Sequence, residues 1–415
     1  MLAGTTLAAA AAAAGCSEGS GAGDKDVARI AVSPAGGGAL VRPDGTIAVQ
    51  SSNGTIEDVT VLSGGTPVEG ALSADRTHWR SRWTLDPGQT YTVNATAVGR
   101  DGRSRSAASR FAVAKVSRTA KVDLEAPYDR ETVGIGIPII LRFRGKVGDR
   151  AAVERALEVR ADRPVEGAWH WFEGEEGSEA VFRTREYWPA HTSVRFQAHL
   201  SGVSTAKDVY GGKNYTVNFK IGDSHISRAG EDSHKMVVKV NGRKARTIPT
   251  SMGRGGERKY TTTNGTHLTM EKGSPVTMTS EGDGCGPGCP GYYSETVYSA
   301  VRISDSGEYV HSAPWSVGEQ GNTNVSHGCV NISPSNAKWF YGLAYRGDPV
   351  TVTGSDRPLE PDNGWGYWQM KWNDWVKGSA LKRSVTTGPH ADASTLSAES
   401  GRGTAPTAPR ADGGH

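Results

Sequence analysis

Apolar and polar positions alternate in short runs through the first half of the chain, which is the pattern of half-buried β-strands. Across residues 28–120 the runs IAVSP, GTIAVQ, VTVLSGG and TYTVNATAV are separated by turn signals such as Pro43-Asp44-Gly45. Residues 121–223 repeat this plan, and the Pro-x-x-Thr string that begins at Pro87 recurs at Pro189. The pattern predicts two antiparallel β-sandwiches in tandem.

A third β-rich domain is predicted from His225 to Val352, where the texture of the chain changes. Strand-like runs (MVVKVNG, VTMTS, VYSAVRIS and PVTVTG) enclose long Gly-rich loops. The string SPSNAKWFYGLA predicts a short helix, with Ser333 as the N-cap and Pro334 as the first helical residue.

Four tryptophans follow this domain at spacings of 3, 4 and 3 residues: Trp365, Trp368, Trp372 and Trp375. This helical spacing favours packing against the preceding domain, whereas exposed aromatic faces would suit stacking on sugar rings. We predict a Trp-rich extension over residues 354–382. Residues 383–415 are rich in Ser, Thr, Pro, Gly and Ala, and are predicted to be disordered.

Composition supports a protein of strands and turns, since 54 of the 415 residues are Gly and only 7 are Phe. The net charge of +3 is spread along the chain, which gives no electrostatic case for nucleic-acid binding. No apolar run after residue 14 is long enough to predict a membrane-spanning helix.

The N-terminus resembles a bacterial lipoprotein signal. An Ala-rich run ends in the lipobox-like string Ala13-Ala14-Gly15-Cys16, which predicts a signal over residues 1–16, lipidation of Cys16 and a flexible linker over 17–27. The basic residues expected before such a run are missing, which suggests that the natural start lies upstream. The alternative is an ordinary secretory signal with an incidental Cys. Either reading predicts a location outside the cytoplasm, where disulfides persist.

Candidate chemistry is concentrated in His311-Ser-Ala-Pro-Trp315 and Ser326-His-Gly-Cys-Val-Asn331. A thiol is a strong nucleophile only as a thiolate, so Cys329 needs a nearby base such as His311 or His327. His327 lies two residues before Cys329, so the two would share a face of a strand. Gly328 allows close backbone approach, and the amides of Gly328 and Cys329 are candidate oxyanion donors.

Three interpretations compete on these residues alone. Cys329 is a buried structural residue, or it is a catalytic thiol, or it belongs to a zinc site. The zinc site would draw its ligands from Cys285, Cys289, His311, His327 and Cys329. A free Cys-x-x-x-Cys pair outside the cytoplasm oxidises readily, which counts against zinc.

The His311 and Ser326–Asn331 strings, separated by fourteen residues, together resemble the signature of the YkuD-type L,D-transpeptidases. With the secreted start and the Trp-rich end, the resemblance extends to actinobacterial members of that family and covers about residues 28–380. It implies a mainly β protein: two immunoglobulin-like sandwiches (28–120 and 121–223), a YkuD-type catalytic domain (224–353) and the short Trp-rich extension.

The resemblance also implies a reaction. In the family, the Cys attacks the third residue of a peptidoglycan tetrapeptide stem, releases D-Ala and forms a thioester. The amine of a second stem then resolves the thioester, giving a cross-link between the third residues of two stems. Cys329 matches the nucleophile and His311 the base, with the Ser312 carbonyl orienting the His311 ring. His327 and Gly328 match the structural shoulder of the motif.

Other residues match substrate-contacting positions of the family: Tyr293 of the lid, Met278, Ser306, Gly307, Trp315 and Asn331. Packing or turn roles are the alternatives for Tyr293, Met278, Trp315 and Asn331. The resemblance implies acylation of Cys329 by carbapenem-type β-lactams, and neither a metal nor an organic cofactor.

The lid segment EGDGCGPGCPGYY departs from the simplest family pattern. With Cys16 lipidated and Cys329 free, Cys285 and Cys289 are left to pair, and we predict a small disulfide loop that stiffens the lid. A redox-sensitive pair and a second thiol that attacks acyl intermediates are the alternatives. For the whole protein, the alternatives are an L,D-carboxypeptidase that uses water as acceptor and a non-catalytic wall-binding protein.

Overall fold

The computed structural model describes residues 25–174, 176–290 and 292–388. The predicted signal, Cys16 and the tail beyond residue 388 lie outside the described residues. Internal contacts divide the chain into two units. Of the described residues, the first unit holds 25–41, 46–82 and 89–112, and the second holds the rest. The second unit takes in the first sandwich's turns at 42–45 and 83–88.

The first unit is a sandwich of two four-stranded sheets. Its strands are β1 (Arg29–Ser33), β2 (Ala48–Ser52), β3 (Gly54–Ser63), β4 (Thr66–Pro67), β5 (Gly70–Leu72), β6 (His78–Ser81), β7 (Thr90–Gly99) and β8 (Ser104–Ala112). One sheet has the order β1-β2-β6-β5 and the other β4-β3-β7-β8. Buried residues alternate with more exposed ones along β7, as the sequence pattern predicts. Tyr91 stacks on Phe111 in the core.

The second sandwich is built from two main sheets and a small three-stranded one. Its elements are β9 (Thr119–Ala120), β10 (Val122–Ala126), β11 (Thr132–Val133), β12 (Ile139–Arg144), α1 (Arg150–Arg155), β13 (Leu157–Ala161), β14 (Glu166–Glu173), β15 (Gly177–Thr184), β16 (Ser193–Ala198), β17 (Ser204–Ala206), β18 (Val209–Gly211) and β19 (Tyr215–Ile221). The main sheets contain β10-β12-β15-β14 and β11-β19-β16-β13. Trp169 packs against Phe182 and Phe196 between them.

The main elements of residues 225–353 form two sheets and one helix around a second core. They are β20 (His225–Gly230), β21 (Lys235–Val240), β22 (Arg243–Pro249), β23 (Gly265–Leu268), β24 (Lys272–Gly273), β25 (Val276–Thr279), β26 (Ser294–Arg302), β27 (Tyr309–Ser312), β28 (Val330–Ile332), α2 (Pro334–Leu343) and β29 (Pro349–Thr353). One sheet runs β22-β21-β20-β29-β23. The other runs β24-β26-β27-β28, with β25 also pairing with β26.

Helix α2 lies where the sequence predicts it, but its cap differs. Ser333 occupies the N-cap position and Pro334 begins the helix. The Ser333 side chain makes no capping bond, because its hydroxyl contacts that of Ser335 instead. The position is therefore right, whereas the capping bond is absent.

The Trp-rich extension corrects one prediction and extends another. It contains a 3-10 turn (Gly366–Gln369) and a six-residue helix, α3 (Trp372–Lys377), in place of one helical stripe. Trp375 is fully buried on the second sandwich, where its indole N–H donates to the Ala168 carbonyl at 2.9 Å. The expected packing on the preceding domain is therefore only part of the arrangement.

The first residues of the predicted disordered tail form a strand. Residues Val385–Thr386 make up β30, which pairs antiparallel with β14 at the edge of the second sandwich. The Thr387 hydroxyl accepts from the Val165 N–H at 3.1 Å, and the Thr387 carbonyl accepts from the Ala161 N–H. Backbone pairing supplies the order that the polar composition does not predict. Among the described residues, no helix combines the length and apolar character needed to cross a membrane.

Candidate active site

Strands β27 and β28 position the two residues that carry the candidate chemistry. They are parallel neighbours, with Val310 opposite Val330 and His311 opposite Asn331. Cys329 immediately precedes β28. Val310, Val330 and Ile332 are fully buried in the core beneath, so the strands rest on rigid packing.

The turn before β28 explains the residue types in the Ser326–Cys329 string. The Ser326 hydroxyl donates to the Cys329 carbonyl at 2.6 Å and accepts from the Gly328 N–H at 3.1 Å. Gly328 has a φ of 132°, a conformation that L side chains rarely adopt. Its carbonyl accepts from the Thr262 hydroxyl at 2.7 Å. The Gly328 amide is thus engaged within the turn, which corrects the expectation that it is an oxyanion donor.

Cys329 presents a protonated thiol. Part of the residue is exposed, yet protein encloses the thiol closely, and this burial raises its pKa to about 12. A hydrogen bond from the Tyr309 backbone acts in the opposite direction, whereas the nearby Glu308 charge adds to the increase. The thiol donates to the Gly307 carbonyl, with 3.6 Å between sulfur and oxygen. Burial and the contact with Gly307 both favour the neutral thiol over the thiolate.

His311 is held as a neutral base. Its side chain is buried, and Nδ1 lies 2.9 Å from the Ser312 carbonyl oxygen. Because a carbonyl only accepts, Nδ1 carries the ring proton and Nε2 keeps its lone pair. Burial lowers the pKa of His311, against the effects of the Ser312 carbonyl and the Asn331 side chain. The Ser312 carbonyl therefore fixes the tautomer of a neutral ring.

A cavity of about 620 Å³ opens above Cys329. It brings together seven of the residues singled out in the sequence: Met278, Tyr293, Ser306, Gly307, His327, Gly328 and Cys329. His311, Ser312, Trp315 and Asn331 do not line it.

The prediction that Asn331 lines a substrate pocket is not met in this cavity. Its side chain is buried and donates to the Ser316 hydroxyl at 3.2 Å. It also contacts His311, which its strand register places opposite. Trp315 is half-exposed, with its ring 6.0 Å from that of His311. Both residues therefore contact His311, and neither lines the cavity.

His327 sits in an aromatic stack. Its ring lies nearly parallel to that of Tyr293, with 4.8 Å between centroids, and Tyr260 packs on it at 5.2 Å. The Arg254 guanidinium lies over the Tyr260 ring at 3.6 Å. The stack holds the His327 ring between two tyrosines, and the sequence analysis did not identify Tyr260.

The lid is the loop between β25 and β26, and it contains a disulfide between Cys285 and Cys289. Ser280 links this loop to Tyr293. The Ser280 hydroxyl donates to the Cys285 carbonyl at 2.9 Å and accepts from the Tyr293 N–H at 3.0 Å. Its backbone N–H donates to the Tyr293 carbonyl, and its carbonyl accepts from the Cys285 N–H. The buried Ser280 is thus hydrogen-bonded to both the disulfide loop and Tyr293.

Several cavity residues escaped the sequence analysis: Arg258, Lys259, Asp305, Glu308, Tyr309 and Arg357. Glu308 and Tyr309 directly follow the predicted Ser306-Gly307 pair in the sequence, so their position could have identified them as cavity residues. The basic residues come from loops distant in sequence, and no spacing connects them to Cys329.

Comparison with known proteins agrees with this geometry. The L,D-transpeptidase catalytic domain (YkuD) matches residues 229–352, and a bacterial Ig domain matches residues 39–204. L,D-transpeptidase 2 of Mycobacterium tuberculosis (strain CDC 1551 / Oshkosh) is 36% identical over 358 residues, which is 85% of each chain. The chain belongs to the L,D-transpeptidase family.

Two further proteins are similar to this chain. L,D-transpeptidase 5 of Mycobacterium tuberculosis (strain ATCC 25618 / H37Rv) is 37% identical over 357 residues, covering 85% of this chain and 77% of that protein. The solved structure of LD transpeptidase LdtMt1 in complex with imipenem is 34% identical. It covers 56% of this chain and 99% of its own, with a TM-score of 0.48.

Metal binding has no structural support at the cysteines. The sulfurs of Cys285 and Cys289 are bonded to each other, so neither is a thiolate ligand. Within residues 25–174, 176–290 and 292–388, no group of three or more His, Cys, Asp or Glu side chains is arranged to hold a metal ion.

Proposed function

We propose that this enzyme cross-links peptidoglycan stem peptides through a thioester on Cys329. The observation that carries the proposal is the placement of His311 on β27 and of Cys329 immediately before β28, the parallel neighbour of β27. Ser312 fixes His311 as a neutral ring whose Nε2 can take a proton, and Cys329 lines a cavity of about 620 Å³. A lidded cavity in an L,D-transpeptidase fits a substrate of this kind.

In the first step, Cys329 Sγ attacks the carbonyl carbon of the third residue of a donor tetrapeptide while His311 Nε2 takes the thiol proton. The amide bond to D-Ala breaks, and His311 returns that proton to the departing amine. The Gly328 amide is engaged by Ser326, so we assign the oxyanion to the Cys329 amide.

In the second step, the side-chain amine of another stem attacks the thioester. His311 takes a proton from the amine, an amide bond forms, and the Cys329 thiolate leaves and recovers the proton. The product joins the third residues of two stems. Because the thiol ionises only as it attacks, the resting enzyme resists oxidation outside the cytoplasm. The lid disulfide is also suited to that compartment.

The same chemistry makes Cys329 a target of carbapenem-type β-lactams. A strained lactam carbonyl takes the place of the donor carbonyl, and ring opening leaves the drug attached to the sulfur. The Cys329–His311 pair needs no metal or organic cofactor for either reaction.

Mass spectrometry of the enzyme with a disaccharide-tetrapeptide tests this proposal. We expect a dimer that lacks one terminal D-Ala, and a matched Cys329→Ala variant that folds normally and gives no dimer. A tripeptide monomer without dimer would make water the acceptor and the enzyme a carboxypeptidase. Cross-linking by the Cys329→Ala variant would overturn the thioester.

A further inference from the structure

The small net charge of the chain conceals one strongly basic segment. The whole sequence has 47 Lys and Arg residues against 44 Asp and Glu, yet residues 233–256 contain no acidic residue. The basic residues of this segment are Lys235, Lys239, Arg243, Lys244, Arg246 and Arg254. The charge is therefore not spread evenly along the chain, which corrects the expectation from composition.

Four of these cations lie on the hairpin of β21 and β22, residues 235–249, which we call the basic hairpin. Lys235, Lys239, Arg243 and Lys244 are exposed, and none of them makes an ion pair or a side-chain hydrogen bond with the described residues. Lys239 lies directly opposite Lys244 in the strand pair. Like charges in this arrangement repel each other and destabilise the pair unless an anion lies between them.

The other two cations of the segment have structural partners. Arg246 Nη1 donates to Asn336 Oδ1 at 3.1 Å, and its guanidinium lies over the Trp339 ring. Arg254 lies over the Tyr260 ring. One segment therefore contains two cations that the protein itself uses and four that face solvent.

Protection of the sheet edge does not account for all four cations. β22 is the edge strand of its sheet, and Lys or Arg on an edge strand prevents pairing with another chain. That purpose fits Arg243 and Lys244. Lys235 and Lys239 lie on β21, which pairs with β20 on one side and with β22 on the other, so it has no free edge.

The acidic residues nearest in sequence do not neutralise the hairpin. Asp232 precedes β21 and forms no ion pair with the four cations. Asp223 Oδ1 accepts from the Asn241 amide at the hairpin tip, at 2.9 Å, and lies 3.2 Å from the His191 ring. The positive charge of the basic hairpin is thus left for a partner outside the described chain.

The shape of the basic hairpin suits an extended polyanion. None of its residues lines the catalytic cavity, so its cations do not converge on one small ligand. Lys235 and Lys239 are four residues apart on one strand, which is about 13 Å, so each would meet a different anion of a repeating polymer. A phosphodiester backbone keeps one negative charge per repeat.

A membrane surface fits the basic hairpin less well. Among the described residues, none of the large apolar side chains that are exposed lies on residues 235–249. Binding in a membrane interface combines charge attraction with buried apolar side chains. The hairpin offers only the charge.

The basic hairpin leads directly to the turn before β28. After β22, Ser251 forms a bridge with Asn331, and Gly253 forms one with Ser326. Lys244 is seven residues before Ser251, which is about 23 Å of extended chain. A polymer bound at the hairpin would therefore lie close to the catalytic cavity without entering it.

We propose that the basic hairpin is a docking surface for an anionic cell-wall polymer with a phosphodiester backbone. The polymer lies along β21 and β22, and its phosphates relieve the repulsion between Lys239 and Lys244. Docking holds the enzyme at the wall while the cavity remains open to stem peptides. It involves no covalent step and neither Cys329 nor His311, so it can be tested separately from the proposed function.

Fluorescence anisotropy of the full-length enzyme with a labelled synthetic decamer of glycerol phosphate tests the proposal. We expect the Kd of the native enzyme to rise with NaCl, because the contacts are between exposed charges. Lys239→Glu with Lys244→Glu should raise Kd roughly 10- to 100-fold, since two attractions become two repulsions. Lys239→Arg with Lys244→Arg should keep the native Kd.

A matched control makes the same change of net charge elsewhere. Arg195→Glu with Lys220→Glu reverses two exposed cations of the second sandwich that also have no ion pair among the described residues, and it should leave Kd nearly unchanged. Acylation by a carbapenem, followed by mass, shows that the cavity is intact in each variant. Because no hairpin residue lines the cavity, kcat/KM on a soluble tetrapeptide should also be unchanged.

Several results would overturn the docking surface. Equal losses of decamer binding in the two reversed variants would mean that only net charge matters. Native decamer binding that survives reversal of Lys239 and Lys244 would place the polymer elsewhere. Binding to vesicles of phosphatidylglycerol and phosphatidylcholine, without binding to the decamer, would make the partner a membrane. Hairpin-dependent decamer binding by an enzyme that forms no cross-linked dimer would support the docking surface and overturn only the proposed function.

Discussion

Arg183 and Arg357 are both arginines without a carboxylate partner in the described chain, but their surroundings differ. Arg183 lies on β15, is 3% exposed, and is covered by three indole rings: Trp368 at 4.8 Å, Trp372 at 5.4 Å and Trp375 at 4.8 Å. It also donates to the Met370 carbonyl at 2.7 Å. Arg357 instead lines the open cavity above Cys329.

The difference shows how the same type of side chain, arginine, serves two purposes. Around Arg183 the protein itself supplies the π-faces and the carbonyl, so the cation fastens the Trp-rich extension to the second sandwich. Burial still has a cost, since it lowers the pKa of Arg183 to about 10. The Nε of Arg183, like that of Arg357, has no hydrogen-bond partner among the described residues, so what distinguishes Arg357 is its place on the cavity lining. The extension is thus built for stability, and the cavity for a ligand.

The largest effect we expect concerns the resting thiol at the cavity. With its pKa near 12 instead of the usual 9, the thiolate fraction of Cys329 at pH 7 falls about a thousandfold. Iodoacetamide should therefore label Cys329 very slowly at pH 7, and the rate should rise tenfold per pH unit to beyond pH 10. Peptide mapping by mass spectrometry measures the rate at this residue.

A Cys329→Ala variant identifies the labelled residue in that experiment. Burial disfavours both the Cys329 thiolate and the His311 imidazolium. The labelling rate should therefore rise with pH and should not level off near neutral pH. A labelling rate that levels off between pH 5 and 8 would mean a preformed thiolate–imidazolium pair. Cys329 would then be a thiolate before any substrate binds, and the neutral resting state of the thiol would be wrong.

The next largest effect concerns Arg183 in the tryptophan cluster, which consists of Trp368, Trp372 and Trp375. Arg183→Ala removes three cation–π contacts and leaves the Met370 carbonyl without its donor, which should lower the free energy of unfolding by about 3 kcal/mol. Urea denaturation followed by Trp fluorescence measures the loss. The kcat/KM of the molecules that remain folded should equal that of the native enzyme.

Arg183→Met is the matched control for this prediction. It fills a similar volume and removes the buried charge, so it should cost less than half as much as Arg183→Ala. Equal losses for the two variants would show that packing volume, and not the cation, stabilises the cluster. A fall in kcat/KM would show that the extension also shapes the active site.

The sequence predicts the reactive centre better than its surroundings. His311 and the Ser326–Asn331 string form a short motif that resembles a family signature, and one turn requires Ser326 and Gly328, so residues close together in sequence carry the information. The alternation of apolar residues predicts the sandwiches for the same reason, since burial follows the strand period of two. Local geometry encodes these features.

Other features depend on long-range contacts that no spacing reveals. Arg357 reaches the cavity from a loop after β29, and Arg183 meets its tryptophans from nearly two hundred residues away in sequence. The Trp spacing suggests one helix, whereas burial against the second sandwich breaks it into a 3-10 turn and α3. Thr387 lies in a polar tail, yet backbone pairing with β14 orders that segment.

The smallest effect we expect concerns the lid. There a disulfide, which is a stabilising feature, should influence how the cavity binds its ligand. Replacing both Cys285 and Cys289 by Ser frees the loop that Ser280 joins to Tyr293, so Tyr293 loses part of its positioning over His327. One or two weakened hydrogen bonds correspond to a rise in KM of roughly two- to fivefold, with kcat nearly unchanged. Steady-state kinetics on the best tetrapeptide measures this, and Ser280→Ala should reproduce it in the oxidised enzyme. If the double variant keeps the native KM while Ser280→Ala raises it, then Ser280 alone positions the tyrosine, and the disulfide serves only the stability of the loop.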